Sequence, residues 1–379
     1  MKYMGSKRAM LGNGLGEALG RSLDGANRVL DLFTGSAAVA WYVAERFRKE
    51  VHAGDLQQYS TVIAASVIER TSPISDFDWL DRWMTHAEAA VMGDPRWRDI
   101  QELQDCLHRH PVTHSAASAR AIDFDDKWPI SKAYGGYYFS PWQSMWLDAL
   151  RKNLPDVADQ RNVALAALIQ SASRCAASPG HTAQPFKPNE TAGRFLIEAW
   201  QRNLPEMVRV RVSEIAPRTA FKKGRAYCLN AHQLAETARP NDLVFLDPPY
   251  SGVHYSRFYH VLESVARGEV GEVSGSGRYP SKDERPTSEY SMLSTSKHAF
   301  DDLLAILARQ KANVIVTFPA GKASNGLSGD DVRAIAADHF RIQEAIVTSR
   351  FSTMGGDLKH RAARQDADEL ILTLSSRAG

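Results

Sequence analysis

The chain has 379 residues, with 46 Lys and Arg against 44 Asp and Glu, so its formal net charge is only +2. This balance gives no bulk electrostatic argument for a nucleic-acid or membrane partner, and any such partner has to be inferred from local motifs. Hydrophobic residues at 44% and charged residues at 24% match ordinary globular proteins, which excludes a disordered or fibrous chain.

The cysteines and the apolar runs bear on the cellular compartment. The three cysteines, Cys106, Cys175 and Cys228, are too few and too scattered for a disulfide framework or a zinc ribbon. The first residues are polar and lack the apolar core of a signal peptide. The longest apolar runs, such as residues 37–44, are far shorter than the roughly 20 residues that span a bilayer. These features predict a soluble, cytoplasmic protein.

The N-terminal residues show the alternation of strand and helix that is typical of α/β proteins. The apolar run at 28–33 ends in a Thr-Gly-Ser turn and continues into a helical pattern at 37–46. A second run near Val51 ends at Asp55, and a helical stretch follows from about 59 to 69. This order predicts the start of a doubly wound, Rossmann-like α/β sheet.

The middle of the chain has a different composition. Seven of the eight tryptophans lie between residues 71 and 204. Apolar spacing predicts helices at roughly 97–109, 140–152, 160–176 and 190–202. We therefore predict that 71–204 is a mostly helical insertion, and that residues 1–70 and 205–379 form the sheet domain.

The sheet pattern resumes with a buried type of strand at 242–246. Residues 268–297 are polar and aperiodic, which predicts a mobile loop. The remaining predicted elements are helices at 299–310 and 330–339 and strands at 313–318, 342–350 and 368–374.

Asp247-Pro248-Pro249-Tyr250 is the sharpest motif, since a chance occurrence in a chain of this length is on the order of 10⁻³. Its alternative interpretation is a diproline turn that ends a strand. Asp31, Asp55 and Asp247 are all predicted at carboxyl ends of strands, where open α/β sheets bind ligands. This coincidence favours a functional site.

The motif suits chemistry on an exocyclic amine of a nucleic-acid base. Such an amine is a poor nucleophile because its lone pair is delocalised into the ring. If the Asp247 carboxylate and the Pro248 carbonyl each accept one N–H, the lone pair becomes available for attack. The prolines hold the carbonyl rigid. Tyr250 can stack on a base that has left its duplex.

The segment from Asp31 to Ser36 fits the other half of such a reaction, the binding of a nucleoside-containing donor. Gly35 permits close approach of the backbone to a ligand. Asp55 is placed like the acidic residue that binds ribose hydroxyls. The alternatives are an ordinary α/β crossover for the glycine turn and a helix N-cap for Asp55.

Together these residues resemble the Dam-like, Asp-Pro-Pro-Tyr family of site-specific DNA adenine-N6 methyltransferases, which use S-adenosylmethionine. The order of motifs also matches: a Lys-Tyr-Met-Gly-Ser-Lys segment at 2–7, then 31–36, an inserted recognition region, and 247–250. Further likenesses lie at 137–140, 255–263 and 350–356. The resemblance implies a methyltransferase fold of the Rossmann-like type, with the insertion as target-recognition region.

The resemblance assigns roles by position. The implied catalytic residues are Asp247, Pro248, Pro249 and Tyr250. The implied donor-binding residues are Tyr3, Lys7, Asp31, Phe33, Gly35, Ser36, Asp55 and Asn230, with His232 as the alternative to Asn230. The chain departs from the family at Ala37, where glycine is usual, so we expect weakened cofactor binding.

Candidate DNA contacts are basic residues in loops and near the motifs: Lys222, Lys223, Arg225, Arg257, Lys359 and Arg361. Their alternative role is that of solvated surface charges. Trp142 and Trp146 share one helix face, which favours core packing over base stacking. His181, His254 and His260 lack metal-ligand spacing, so no metal site is predicted.

The leading hypothesis is methyl transfer from S-adenosylmethionine to the N6 amine of a flipped adenine in double-stranded DNA. The four-residue motif alone does not separate adenine from the N4 amine of cytosine, and RNA is a further alternative substrate. A different class is a non-catalytic nucleic-acid-binding subunit of a modification or defence complex. A nucleotide-dependent oxidoreductase would need a G-x-G-x-x-G turn, which the chain lacks. The expected protein partners are a restriction endonuclease or the subunits of a defence system.

Overall fold

The computed structural model describes residues 7–350 and 366–377. Within them nine strands form: β1 Arg28–Asp31, β2 Glu50–Asp55, β3 Arg225–Cys228, β4 Leu243–Leu246, β5 Val273–Ser274, β6 Tyr279–Pro280, β7 Asn313–Pro319, β8 Phe340–Arg350 and β9 Asp366–Ser376. The α-helices of the same residues are α1 Arg8–Leu11, α2 Leu15–Leu23, α3 Ala38–Arg46, α4 Gln58–Ile68, α5 Asp78–Met92, α6 Trp97–Asp105, α7 Val112–Ala121, α8 Pro129–Tyr134, α9 Pro141–Lys152, α10 Ala158–Cys175, α11 Gly193–Trp200, α12 Leu204–Ile215, α13 Ala231–Ala235, α14 Tyr255–Phe258, α15 His260–Arg267, α16 Ser296–Arg309 and α17 Gly329–His339. A short 3-10 helix spans Glu289–Ser291.

The described chain divides into two compact units. The sheet unit consists of residues 7–72, 219–255, 286–350 and 366–377. The helical unit consists of residues 73–218 and 256–285. The predicted insertion, 71–204, therefore begins at nearly the same residue but ends earlier than the helical unit, and it lacks the second segment.

Side-chain packing explains why the helical unit is larger than the predicted insertion. Helix α12 buries Leu204, Val208 and Val212 and packs against α10. Helix α15 also packs against α10, and the Arg151 guanidinium donates hydrogen bonds to the last carbonyl groups of α15, including Arg267 O at 2.8 Å. Since these contacts join segments distant in sequence, hydropathy patterns along the chain could not reveal them.

The sheet unit is built on one seven-stranded sheet in the order β3-β2-β1-β4-β7-β9-β8. The first five of these strands are parallel, while β9 is antiparallel to both of its neighbours. The strand order reverses between β1 and β4, as it does in doubly wound sheets. The predicted Rossmann-like α/β fold is confirmed.

The core of the sheet unit lies between the sheet and its helices. Strands β1 and β4 are buried along their whole length, as expected for parallel strands covered on both faces. Leu30 and Val244 belong to the same cluster as Leu304 and Leu307 of α16. Burial of each such side chain contributes about 1.5–3 kcal/mol, so this core fixes the strand ends that carry the site.

The polar segment 268–297, predicted as a mobile loop, contains short regular elements, and its mobility stays a prediction. It contains the β5–β6 hairpin, the 3-10 helix and the start of α16. Tyr290 is buried in the core of the sheet unit. Because a single buried aromatic has no periodicity, the sequence carried no local signal for it.

No helix in residues 7–350 or 366–377 is long and apolar enough to cross a membrane.

Candidate active site

Three aspartates lie at the carboxyl edge of the parallel strands. Asp31 ends β1, Asp55 ends β2, and Asp247 directly follows β4. Asp31 stands opposite Ala53 on β2 and Phe245 on β4 in the strand register. The edge between β1 and β4 is the topological switch point, where open α/β sheets bind ligands.

The turn after β1 is held by the end of β2. The Gly35 N–H donates to Asp55 Oδ2 at 2.9 Å, and the Thr34 N–H donates to Gly54 O at 3.0 Å. Asp55 Oδ1 accepts from the Gln57 N–H at 3.0 Å. The carboxylate of Asp55 therefore ties the turn after β1 to the end of β2. In this turn Gly35 is buried, while Phe33 and Ser36 are half-buried.

Ala37 adopts a backbone conformation that favours glycine. Its φ is 58° and its ψ is 19°, in the left-handed region, and the residue precedes α3 as its N-cap. This conformation costs a residue with a Cβ roughly 1–2 kcal/mol. The residue is fully buried, so its methyl group is covered by protein. Any effect of Ala37 on a donor therefore acts through the shape of the turn.

We expect Ala37→Gly to leave stability nearly unchanged. Relief of the left-handed strain, roughly 1–2 kcal/mol, offsets the loss of a buried methyl group, about 0.8 kcal/mol, and the added freedom of the unfolded chain, about 0.4–1 kcal/mol. Ala40 is equally buried but lies inside α3. Ala40→Gly should therefore lose about 2 kcal/mol in urea denaturation. Equal losses in the two variants would contradict the argument from strain.

Asp31 is buried with an unsatisfied oxygen. It is 1% exposed, and its Oδ1 has no hydrogen-bond partner among the described residues. Burial, with the neighbouring charge of Asp247 as the next cause, raises the pKa of Asp31 to about 8. A buried polar atom without a hydrogen-bond partner is rare and lowers the stability of the fold. The free oxygen of Asp31 therefore indicates a place where a ligand with an N–H or O–H group, or with a positive charge, can bind.

Lys7 pairs with the aspartate of the Asp-Pro-Pro-Tyr motif. Its Nζ lies 2.9 Å from Asp247 Oδ1 and 3.4 Å from a carboxylate oxygen of Glu369 on β9. Burial alone would lower the pKa of Lys7, but the two carboxylates raise it above its ordinary value. Lys7 is therefore a buried ammonium group that holds Asp247 in place.

Asp247 is anchored through one of its two oxygens. The Thr317 hydroxyl donates to Oδ1 at 3.1 Å, the same oxygen that faces Lys7. Within residues 7–350 and 366–377 no hydrogen bond or ion pair is formed by Oδ2. Burial raises the pKa of Asp247, and the contact with Lys7 opposes this shift. Oδ2 is thus the acceptor that remains for a ligand.

The rest of the motif is held by the loop before α17. Asn325 Nδ2 donates to Pro249 O at 2.7 Å and to Tyr290 O at 2.9 Å. The Ser324 hydroxyl accepts from the Gly252 N–H at 3.0 Å. Asn325 is fully buried and bridges the turn to the 3-10 helix. Burial raises the pKa of Tyr250, which keeps its phenol protonated at neutral pH.

An aromatic cluster flanks the turn. The Tyr290 ring packs edge-on against Phe33, with centroids 4.9 Å apart, and stacks on His232 at 5.8 Å. Asn230 follows β3 and caps α13, where its side chain accepts from the Gln233 N–H at 2.8 Å. His232, the alternative to Asn230 in the sequence, is thus the one of the two that lies in this cluster.

The charges of the site favour a cation. Asp31, Asp55, Asp247 and Glu369 carry carboxyl groups, while Lys7 is already paired with two of them. A phosphate would be repelled by this arrangement, whereas a ligand with a positive sulfur or ammonium group would be attracted. The unsatisfied Asp31 oxygen adds a buried acceptor. These residues fit a cationic methyl donor.

The structure brings most of the predicted catalytic and donor residues to this edge, but not the predicted DNA contacts. The exposed Lys222, Lys223 and Arg225 lie before or at the start of β3, at the opposite edge of the sheet. Arg257 is exposed on the helical unit. Tyr3, Lys359 and Arg361 lie outside the described residues.

The tryptophans and the histidine considered next pack inside the helical unit. Trp146 is buried beside Trp142, as expected for core packing. His260 is buried in the helical unit, and burial lowers its pKa to about 4. Among the described residues no group of three or more His, Cys, Asp or Glu side chains could hold a metal ion.

Residues 193–314 match the family model of the D12 class N6 adenine-specific DNA methyltransferases. The chain is 26% identical over 289 residues to Modification methylase StsI of Streptococcus sanguinis, covering 73% of this chain and 37% of that protein. It is 24% identical over 287 residues to Type II methyltransferase M.FokI of Planomicrobium okeanokoites, covering 73% and 38%. A third relative, Modification methylase LlaI of Lactococcus lactis subsp. lactis, is 24% identical over 175 residues, covering 44% and 26%.

These matches confirm the predicted resemblance to DNA adenine methyltransferases. The matched region spans less than two fifths of the length of each of these relatives. The family model covers Asp247–Tyr250 and Asn230 but not the turn after β1. The family uses a methyl donor and acts on DNA.

Proposed function

We propose, from the match of residues 193–314 to the D12 class of N6 adenine-specific DNA methyltransferases, that this protein transfers a methyl group to the N6 amine of adenine in double-stranded DNA. The observation that carries the proposal is the geometry at Asp247. Lys7 and Thr317 hold Oδ1, so that Oδ2 and the adjacent Pro248 carbonyl oxygen are the acceptors left for an amine.

The proposed chemistry needs acceptors and a stacking surface. Asp247 Oδ2 and Pro248 O each accept one N–H of the target amine, which frees its lone pair for in-line attack on the methyl carbon of the donor. The nitrogen–carbon bond forms as the bond between the methyl group and the donor's sulfur breaks, and the methylated nitrogen then loses its surplus proton to water. Lys7 keeps Asp247 fixed and favours its carboxylate form. Tyr250 stacks on the flipped base and offsets part of the cost of unstacking, a few kcal/mol.

We assign the methyl donor as S-adenosylmethionine. When bound, it supplies an electrophilic methyl group on a positively charged sulfur. Asp55 accepts hydrogen bonds from its ribose hydroxyls, and the carboxylate of Asp31 attracts its positive groups. The remaining residues proposed to line the donor are Tyr3, Lys7, Phe33, Gly35, Ser36 and either Asn230 or His232.

We further propose that the helical unit recognises the target sequence. Names of the relatives, "modification methylase", support a role in a restriction-modification system, with a restriction endonuclease or defence subunits as partners and the cytoplasm as the location. These assignments rest on the family and on the predicted insertion.

The experiment that tests the function is incubation of the purified protein with S-adenosylmethionine and unmethylated genomic DNA, followed by single-molecule sequencing. N6-methyladenine at one repeated short motif is the expected result. N4-methylcytosine would redirect the proposal to the other amine. No modification, together with no donor binding by calorimetry, would favour the non-catalytic nucleic-acid-binding subunit.

A further inference from the structure

Two tyrosines of the helical unit each have two arginine side chains over the ring. The guanidinium carbon of Arg120 lies 4.5 Å from the ring centroid of Tyr137, and that of Arg278 lies at the same distance. Both arginines therefore stack on one phenol ring. Stacking orders a guanidinium group while its N–H donors stay available at the edge.

The second group of stacked side chains is centred on Tyr279, the residue that follows Arg278. Arg257 lies 4.6 Å from the ring centroid of Tyr279, and Arg285 lies 5.5 Å from it. Since Arg278 and Tyr279 are neighbours at the β5–β6 hairpin, the two stacks are joined there. We call these four arginines and two tyrosines the arginine–tyrosine surface.

Hydrogen bonds hold the arginine–tyrosine surface in place. Arg278 Nε donates to Ala133 O at 2.7 Å, and Arg120 Nε donates to Gly136 O at 2.9 Å. The Tyr279 hydroxyl donates to Ala183 O. The Gly277 carbonyl of the hairpin accepts from the Tyr138 hydroxyl at 2.9 Å. These contacts use backbone carbonyl groups and leave the positive charges in place.

The charges of this surface are not neutralised by ion pairs. Within the described residues no carboxylate lies within 4.0 Å of the guanidinium groups of Arg120, Arg257, Arg278 or Arg285, although Asp283 and Glu284 are close in sequence. Other arginines of the same unit do form such pairs, including Arg96 with Asp94, Arg202 with Glu198 and Arg209 with Asp81. Guanidinium groups that are ordered in this way, and that have no carboxylate partner to neutralise their charge, are suited to contacts with phosphate.

We infer that the arginine–tyrosine surface binds the phosphate backbone of duplex DNA. The inference rests on the proposed function for its choice of nucleic acid. It extends the predicted DNA contact at Arg257 to three further arginines and gives the two tyrosines the role of ordering them. The exposed Ser274, Gly275 and Ser276 at the hairpin tip leave room for a backbone to approach.

The test is binding of a fluorescein-labelled 30-base-pair DNA of arbitrary sequence by anisotropy over a series of salt concentrations. Each phosphate contact contributes about 0.9 to the slope of log K against log salt. The slope is negative, and the double variant Arg120→Gln/Arg257→Gln is expected to make it shallower by about 1.8, because two phosphate contacts are lost. Tyr137→Leu should weaken binding at a nearly unchanged slope, because the charges remain, while Tyr137→Phe should bind like the wild type.

The matched control is Arg98→Gln/Arg161→Gln, which changes the net charge equally but removes arginines that face Glu102 and Asp156. Its slope should equal that of the wild type. A wild-type slope in Arg120→Gln/Arg257→Gln, or an effect confined to single-stranded RNA of the same length, would overturn the inference. If one of these results is found and the wild type still methylates DNA, only the role of the arginine–tyrosine surface is rejected. If the wild type binds no DNA, the proposed function itself is rejected.

Discussion

Asp247→Asn is expected to lower the rate of methyl transfer by roughly 10²–10⁴-fold with little change in donor affinity. The Lys7 ammonium group pairs with Oδ1 and the Thr317 hydroxyl donates to it, so the asparagine carbonyl oxygen should face them. Its amide NH₂ then stands where Oδ2 was and presents a donor to the target amine, which needs an acceptor. Single-turnover transfer of a labelled methyl group measures the rate, and calorimetry measures donor binding.

Asp242 provides a matched control next to the other end of the same strand. It precedes β4 at the opposite edge of the sheet and pairs with Arg28 at 2.8 Å. Asp242→Asn should lower stability, because it weakens a buried ion pair, but should keep the turnover when assayed well below its melting temperature. Wild-type turnover in Asp247→Asn, or an equal loss in Asp242→Asn, would reject the proposed role of Asp247.

The parallel sheet and the strand edge that carries the three aspartates could be predicted, because each strand and its following turn are recognisable from a few neighbouring residues. The run at 28–33 with its Thr-Gly-Ser turn, and the strand before Asp247, specify a strand end within a few residues each. Since the carboxyl ends of parallel strands share one edge, three aspartates at strand ends predict one site. The predicted terminal strands at 342–350 and 368–374 correspond to β8 and β9, whose observed bounds are 340–350 and 366–376.

The support of the motif could not be predicted because it is formed by tertiary contacts. Glu369 meets Lys7 only after β9 inserts between β7 and β8. Asn325 lies in a Gly- and Ser-containing loop that reads as an ordinary turn, yet it holds Pro249 O. The resemblance implies a donor-binding role for Lys7, while the structure places its ammonium group 2.9 Å from Asp247 Oδ1.

Donor affinity is expected to depend on pH through Asp31. In the free protein, burial and then the charge of Asp247 raise the pKa of Asp31 to about 8. A donor with positive groups favours the carboxylate, so binding below that pH has to release a proton. The dissociation constant should therefore fall by up to tenfold per pH unit as the pH rises towards about 8, and level off above it.

The number of protons released when the donor binds shows whether Asp31, and no other titratable group, is responsible for the pH dependence. Calorimetry at pH 7 in buffers of different ionisation enthalpy should show about one proton for the wild type and close to none for Asp31→Asn. Equal counts in the two proteins would exclude Asp31 as the linked group. Asp55→Asn, which weakens the contact with Gly35, should lower affinity without changing the count.

The same pKa makes a prediction that needs no donor. Because the folded pKa of Asp31 is raised, its contribution to stability is complete below about pH 4 and is lost as the pH rises to about 8, by about 1.4 kcal/mol per unit. Burial also raises the pKa of Asp148 in the helical unit, to about 7, with the same sign. Asp148 is present in both proteins, so the stability difference between Asp31→Asn and the wild type isolates Asp31. This difference should shift in favour of the variant between pH 5 and 8, and a difference independent of pH would show that Asp31 is ionised in the folded protein without a donor.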